Sequence, residues 1–250
     1  MARLLLRYSS SLVLASVFVG YGAQSDAGPS VKVLVSLFEA RYRAAHTLRA
    51  AFLERYIENG HVVHVEAGTA YFRRPGKMRW EYESPEKNLF LVDGRTAWFY
   101  VPGDHTVTRV PAKQSTDWRT PLALLAGEMK VSRVCSRIGP ALNEKPESPD
   151  DVVLSCELRG SSTAPPNGSS PETSAQSGGS GEAIFLEIVK ISGELVRVLV
   201  RDPGGVGIEF HFANWKADPH VADSLFVFTP PAGVAIVNGD LPAANAIINQ

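Results

Sequence analysis

Apolar positions along this chain change period once. Val31, Leu34, Val35, Phe38 and Tyr42 recur at helical spacing, just after Pro29, a residue favoured at a helix start. From Leu48 onward the period becomes two. Runs rich in Val, Phe, Trp and Tyr are separated by turn signals at Asn59-Gly60, Arg74-Pro75-Gly76, Ser84-Pro85, Asp93-Gly94 and Pro102-Gly103-Asp104. Short strands at near-regular spacing with such turns predict an antiparallel sheet that curls into a sandwich or barrel, a mainly β fold with some helix (α+β). A second helix is expected within 117–129, opened by Pro121 and ended by Gly127. Strands then resume at 130–138 and 151–157.

Parity assigns faces. Lys77, Arg79 and Glu81 alternate with Met78, Trp80 and Tyr82, so this strand has one wet and one apolar face. Phe90 and Val92 continue the apolar face if the turn at 83–87 is symmetric. Trp98 and Tyr100 join it if the Asp93-Gly94 hairpin has three loop residues; with two, Ala97 and Phe99 point inward instead. Val196, Val198 and Val200 share one parity, as do Val206, Ile208, Phe210 and Phe212 across the turn RDPGG. Pairing Val198 opposite Ile208 places both sets on one face and leaves Arg197, Arg201, Glu209 and His211 on the wet one. A one-residue slip would bury Glu209.

The first residues bear on compartment. Arg3 and Arg7 precede an apolar run at 12–19, shorter than the ~20 residues a membrane span needs. Ser25-Asp26-Ala27 then offers a small-x-small cleavage site. This predicts a secretory signal peptide over 1–27, against the alternative of a short buried helix, and a single exported domain over 28–250. No later stretch is long and apolar enough to span a bilayer. Cys135 and Cys156 fit an oxidising compartment. If their strands pair symmetrically about GPALNEKPESP, the two fall opposite each other and a cross-strand disulfide is sterically accessible; two buried free thiols are the alternative.

Chemistry is mostly absent. A formal net charge of −1 over 250 residues carries no nucleic-acid footprint. There is no nucleophile elbow, phosphate loop or dinucleotide fingerprint. DPGGVG is hairpin glycine, because a strand follows it. His61, His64 and Glu66 have the look of metal spacing, yet positions three apart on a strand point to opposite faces, so no metal site is expected. Residues 160–182 hold no apolar side chain larger than Ala and read as a disordered loop insert.

A family likeness rests on pieces in order: an N-terminal helix, FLERYIENGHVVHVEAGTAYFRRPGKMRWEYESPEKNLFLVDGRTAWFYVP, TPLALLAG, and at the far end IEFHFANW and LFVFTPPAGVAIV. Over about 31–237 the chain resembles the outer-membrane lipoprotein carrier family (LolA). The resemblance implies an incomplete, open antiparallel β-barrel with helices forming a lid over an apolar cavity. It implies a monomeric periplasmic carrier, not an enzyme, with no cofactor, no metal, no nucleic-acid partner and no stable membrane insertion. Such a carrier takes acylated lipoproteins from an inner-membrane ABC transporter, shields their acyl chains and hands them to an outer-membrane lipoprotein receptor. The family's lid is held shut by an arginine just before the proline of an Arg-Pro motif, through hydrogen bonds to lid backbone. The matching residue here is Arg74, with Arg73 on the opposite face. The lipid cavity is expected to involve Met78, Trp80, Tyr82, Phe90, Val92, Trp98, Tyr100, Val196, Val198, Val200, Ile208, Phe210 and Phe212, for which ordinary packed core is the alternative reading. Met78 stands where well-known carriers often have phenylalanine. A lipid-binding or lipoprotein-sensing module with a different cargo is the second function the fold permits. An envelope hydrolase is the third, and it lacks a visible nucleophile–base pair.

Overall fold

The computed structural model describes residues 28–114, 122–127, 129–159, 183–201 and 204–239. The expected signal peptide 1–27, Pro121, the expected loop insert 160–182 and the residues beyond 239 lie outside them. Helix α1, Val31–Arg43, buries Leu34, Phe38 and Tyr42 and carries Arg41 and Arg43 in its last turn, where they complement the helix dipole. Six strands follow: β1 Thr47–Glu58, β2 His61–Arg73, β3 Lys77–Ser84, β4 Leu89–Val92, β5 Thr96–Val101 and β6 Thr106–Pro111. Two single helical turns come next, α2 Ala123–Ala126, ended by Gly127, and α3 Val131–Val134. The strand expected from Lys130 therefore starts only at Cys135. β7 Cys135–Pro140, β8 Asp151–Leu158, β9 Ala183–Val189, β10 Leu195–Arg201, β11 Val206–Ala217 and β12 Ala235–Asn238 complete the sheet.

The strands form one 12-stranded sheet in the order β12-β6-β5-β4-β3-β2-β1-β11-β10-β9-β8-β7. Every pairing is antiparallel except that of β12, which runs parallel to β6. Among the described residues β12 and β7 are the two ends and do not pair, so the barrel is incomplete. The face carrying α1 is concave. Trp80 on β3 reaches Phe210 and Phe212 on β11, with ring centroids 5.3 and 6.0 Å apart. Two strands, β2 and β1, lie between them. A flat sheet would separate β3 and β11 by about 14 Å at ~4.8 Å per strand, too far for rings to touch this closely. Ala50 and Ala70, both fully buried, leave room for these rings at the bottom of the curve.

Cys135 and Cys156 are disulfide-bonded, with Cα atoms 5.3 Å apart. They are not directly opposite. A register shift near Cys135 sets it against Leu158 and sets Ile138 against Cys156, so the bridge runs diagonally.

Candidate functional site

The opening of the concave face is crossed by α1 and α2, and Arg74 sits where both meet the sheet. β2 ends at Arg73, the Arg74–Pro75 peptide is cis, and Gly76 takes φ +67°, a left-handed turn position suited to glycine. The chain thus turns back at once into β3 and leaves the Arg74 side chain at the rim. Its Nε donates to the Gly127 carbonyl just past α2 at 2.6 Å. Its Nη2 donates to Tyr42 O at 2.8 Å, and Nη1 to Arg43 O at 2.9 Å and to Ala45 O. A guanidinium is suited to this, since its five N–H groups fan out in one plane. The orphan carbonyls at the end of α1 and the carbonyl after α2 are thereby tied to one side chain. Gly76 N–H adds a bond to Ala126 O at 2.8 Å. Burial lowers the Arg74 pKa, Arg43 lowers it further, and Asp218 opposes both. Asp218 itself accepts the backbone N–H groups of His46 and Thr47, at 2.7 and 3.0 Å, and so fixes the exit from α1.

Most of the expected interior residues share the concave face. Met78 pairs with Val92 and Trp80 with Phe90, and all four are buried with Tyr82, as are Val198, Val200, Ile208, Phe210 and Phe212. Three positions differ. The Asp93-Gly94 hairpin has two loop residues, because Asp93 pairs with Thr96 through a 3.1 Å N–H···O bond and Val92 with Ala97. Ala97 and Phe99 therefore face inward, while Trp98 and Tyr100 lie on the convex face against Phe228. Val196 leaves the interior because a bulge between Leu195 and Arg197 brings Leu195 into the core in its place. β10 and β11 pair two residues away from the expected register, Val198 with Phe210 and Val200 with Ile208, which keeps the faces unchanged.

α1 closes this interior with aromatic side chains. Phe38 and Tyr42 stack edge-on at 5.6 Å, and Tyr42 lies 5.0 Å from Trp215, which in turn approaches Phe72 and Phe212. Leu195 N–H donates to the Tyr42 hydroxyl at 2.9 Å, and burial pushes that phenol far above its ordinary range. Gly193 is required here: a Cβ on it would lie 2.5 Å from the Leu37 and Phe38 backbone.

Two features lay beyond the sequence analysis. Glu54 and Glu66 pair directly across β1 and β2, are 0% and 4% exposed, and accept hydrogen bonds from the Tyr82 hydroxyl at 2.6 Å and the Tyr56 hydroxyl at 3.1 Å. The parity of Phe52, Glu54 and Tyr56 was the available signal. On the convex face, Arg197 and Glu209 are buried rather than wet. Arg197 donates to Glu187 at 2.6 Å, to Glu209 at 2.8 Å and to the carbonyl of Lys145, in a segment that covers β9 to β11. Glu147, Glu209 and His211 gather potential metal-ligand atoms there, but Arg55 and Arg197 already neutralise Glu209. Arg73 takes the convex face as expected, where it holds Asp223 and the Val221 carbonyl and stacks over Phe226.

The family model for outer membrane lipoprotein carrier protein LolA matches residues 43–137, a span that includes Arg74 and all of β3 to β6. The outer-membrane lipoprotein carrier protein of Nitrosomonas europaea is 27% identical over 227 residues, covering 90% of this chain and 96% of that protein. The one from Nitrosospira multiformis is 27% identical over 200 residues, covering 78% and 83%. A solved LolA superfamily protein from Nitrosomonas europaea is similar at 11% identity and a TM-score of 0.40, over 80% of this chain and 99% of that one. The chain is thus similar to outer-membrane lipoprotein carrier proteins over most of its length, and its segment 43–137 matches the LolA family model.

Proposed function

We propose that the protein is a periplasmic carrier that shields the acyl chains of lipoproteins and moves them from the inner to the outer membrane. The observation that carries this is the Arg74 guanidinium, bonded at once to carbonyls in the last turn of α1 and just past α2, the helical elements that cover an apolar concave face. Arg74 acts as the latch of a lid formed by α1 and α2. Met78, Trp80, Tyr82, Phe90, Val92, Val198, Val200, Ile208, Phe210 and Phe212 form the surface that acyl chains meet once the lid opens, with Ala97, Phe99 and Leu195 beside them. Each buried CH₂ contributes ~0.8 kcal/mol, so a lipid anchor needs such a surface to cross water. In this reading the donor is an inner-membrane ABC transporter, the acceptor is an outer-membrane lipoprotein receptor, and the carrier works as a monomer without catalysis. The similarity to outer-membrane lipoprotein carrier proteins supports the cargo class.

The test is to express the chain in a Gram-negative periplasm and to identify what co-purifies with wild type and with Arg74→Leu by intact mass spectrometry. Lipoproteins bound to both, with more retained by the variant, are expected. Free phospholipid alone would refute the cargo, and equal retention by the two proteins would remove Arg74 as a latch.

A further inference from the structure

A cleft of about 560 Å³ lies away from the lid interior, where the β5–β6 hairpin meets β12, and includes Arg95, Thr96, Arg109, Pro111 and Asn238. Thr96 pairs with Pro111 and Trp98 with Arg109, which puts Thr96, Arg109 and Pro111 on the convex face. The Arg109 guanidinium is positioned from two sides: Nε donates to Asn238 Oδ1 at 2.6 Å, and the group lies 5.9 Å from the Trp98 ring centroid. Among the described residues no hydrogen bond engages its two Nη groups, which lie within a ligand's reach. Arg95 is exposed, and among the described residues its charge acts on Asp93 without closing a salt bridge. The adjacent carboxylate is Asp93. Burial raises its pKa, but N–H donations from Thr96, Arg95 and the Trp98 indole outweigh that and hold it ionised. Those three donors occupy its oxygens. Lys77 and Lys113 add positive charge at the same end: Lys77 Cγ lies 4.0 Å from where a Gly94 Cβ would be, and the Ala112 N–H bond to Arg95 O places Lys113 next to the turn.

A second feature adjoins the cleft. Edge strand β12 exposes Ile236, at 46%, on the face that carries Asn238 and Arg109, while Val237 points to the other face. Two guanidiniums match the oxygens of a phosphate, and an apolar side chain beside them matches the acyl boundary below it. A soluble phosphate would use only the first half of this arrangement. Basic residues flanked by exposed aliphatic ones are the pattern of a peripheral membrane contact.

We propose that this cleft and the β12 edge form a docking site for the phosphate headgroups of an anionic phospholipid surface, with Arg95 and Arg109 as the phosphate ligands and Ile236, on the same face as Arg109, as the shallow apolar anchor. The site lies apart from the acyl-chain compartment and does not depend on it. A basic side chain at an anionic surface is worth roughly a four- to six-fold gain in affinity, so the two arginines together contribute about thirty-fold.

The experiment is flotation of the protein with vesicles of phosphatidylcholine alone or with phosphatidylglycerol added, at low and at physiological salt. Wild type, Arg95→Gln/Arg109→Gln and Ile236→Asp are compared, and circular dichroism confirms that each is folded. Binding that requires phosphatidylglycerol, weakens with salt and falls about thirty-fold in the double arginine variant is expected. Ile236→Asp should weaken binding while the binding that remains keeps its salt dependence. A titration with glycerol 3-phosphate separates the sources of phosphate: saturable binding of that molecule with no vesicle binding would overturn the membrane assignment. Vesicle binding unchanged in the double variant would also overturn the proposal, as would equal binding to phosphatidylcholine. Co-purifying lipoprotein should be the same for the double variant and wild type, which separates failure here from failure of the carrier reading.

Discussion

Replacing Arg74 by Leu removes four N–H···O contacts that join the ends of α1 and α2 to the rim of the sheet. A hydrogen bond from a charged donor contributes about 1.5–3 kcal/mol when the alternative is a desolvated acceptor. The four share one half-buried guanidinium, and the Tyr42, Arg43 and Ala45 carbonyls lie where water can replace it. The net loss is therefore closer to that of one strong bond or two weak ones, about 3 kcal/mol. At 1.4 kcal/mol per tenfold, lid opening rises on the order of 100-fold. Amide hydrogen exchange reads this directly. Protection in α1, including the Leu34 N–H bonded to Ser30 O at 3.0 Å, should drop by that factor, while β9 and β10 keep theirs. An equal drop in the strands would mean global destabilisation, and unchanged protection in α1 would refute the latch.

Three further outcomes follow from other contacts. Gly193→Ala drives a Cβ into the Leu37–Phe38 backbone at 2.5 Å and strains a φ of +66°, so it should unseat α1 with Arg74 intact, costing about 1–3 kcal/mol. Exchange in α1 at normal rates would show that the seat tolerates it. Glu209 is pushed up by burial, yet hydrogen bonds from His211 and Arg197 and the nearby Arg55 hold its carboxyl at about 2, against 4.5 in the unfolded chain. Its stabilisation is complete above about pH 4.5 and is lost as pH falls towards 2, so Glu209→Gln should make the acid limb of urea-denaturation stability shallower in that window, and an unchanged limb would contradict it. The Cys135–Cys156 bond closes a loop across 21 positions, for which chain entropy gives about 3 kcal/mol. The double Cys→Ser variant should lower the denaturant midpoint accordingly, and an unchanged midpoint would contradict that account.

The parts legible in the sequence were those set by short-range constraints. Strict alternation from Lys77 to Tyr82 and a turn symmetric about 83–87 fixed the faces of Met78, Trp80, Tyr82, Phe90 and Val92. Asp-Gly is compatible with two loop lengths, so Trp98 and Phe99 could exchange faces without any change in composition. A two-residue slip between β10 and β11 preserves parity, which is why the pattern gave their faces but not their partners. The bulge that removes Val196 has no local marker. Arg197 and Glu209 were expected in water because the segment that buries them, around Lys145 and Glu147, is distant in sequence and polar itself. Arg74 was located through a motif; its carbonyl partners come from helix ends that only the fold brings together.

The same geometry constrains how tightly cargo can be held. Closing the lid buries Leu34, Phe38 and Tyr42, each worth about 1.5–3 kcal/mol, or roughly 6 kcal/mol together. The Arg74 contacts add about 3 kcal/mol, so opening costs about 9 kcal/mol. One acyl chain of about fifteen methylenes gains ~12 kcal/mol on burial. A single chain therefore offsets the lid with only a few kcal/mol to spare, and the carrier binds far more weakly than its apolar surface alone would allow. Weakening the latch shifts that small remainder directly into affinity. This is why Arg74→Leu should retain cargo rather than lose it, with a gain of about 100-fold that an acceptor able to compete for the wild-type complex would fail to overcome.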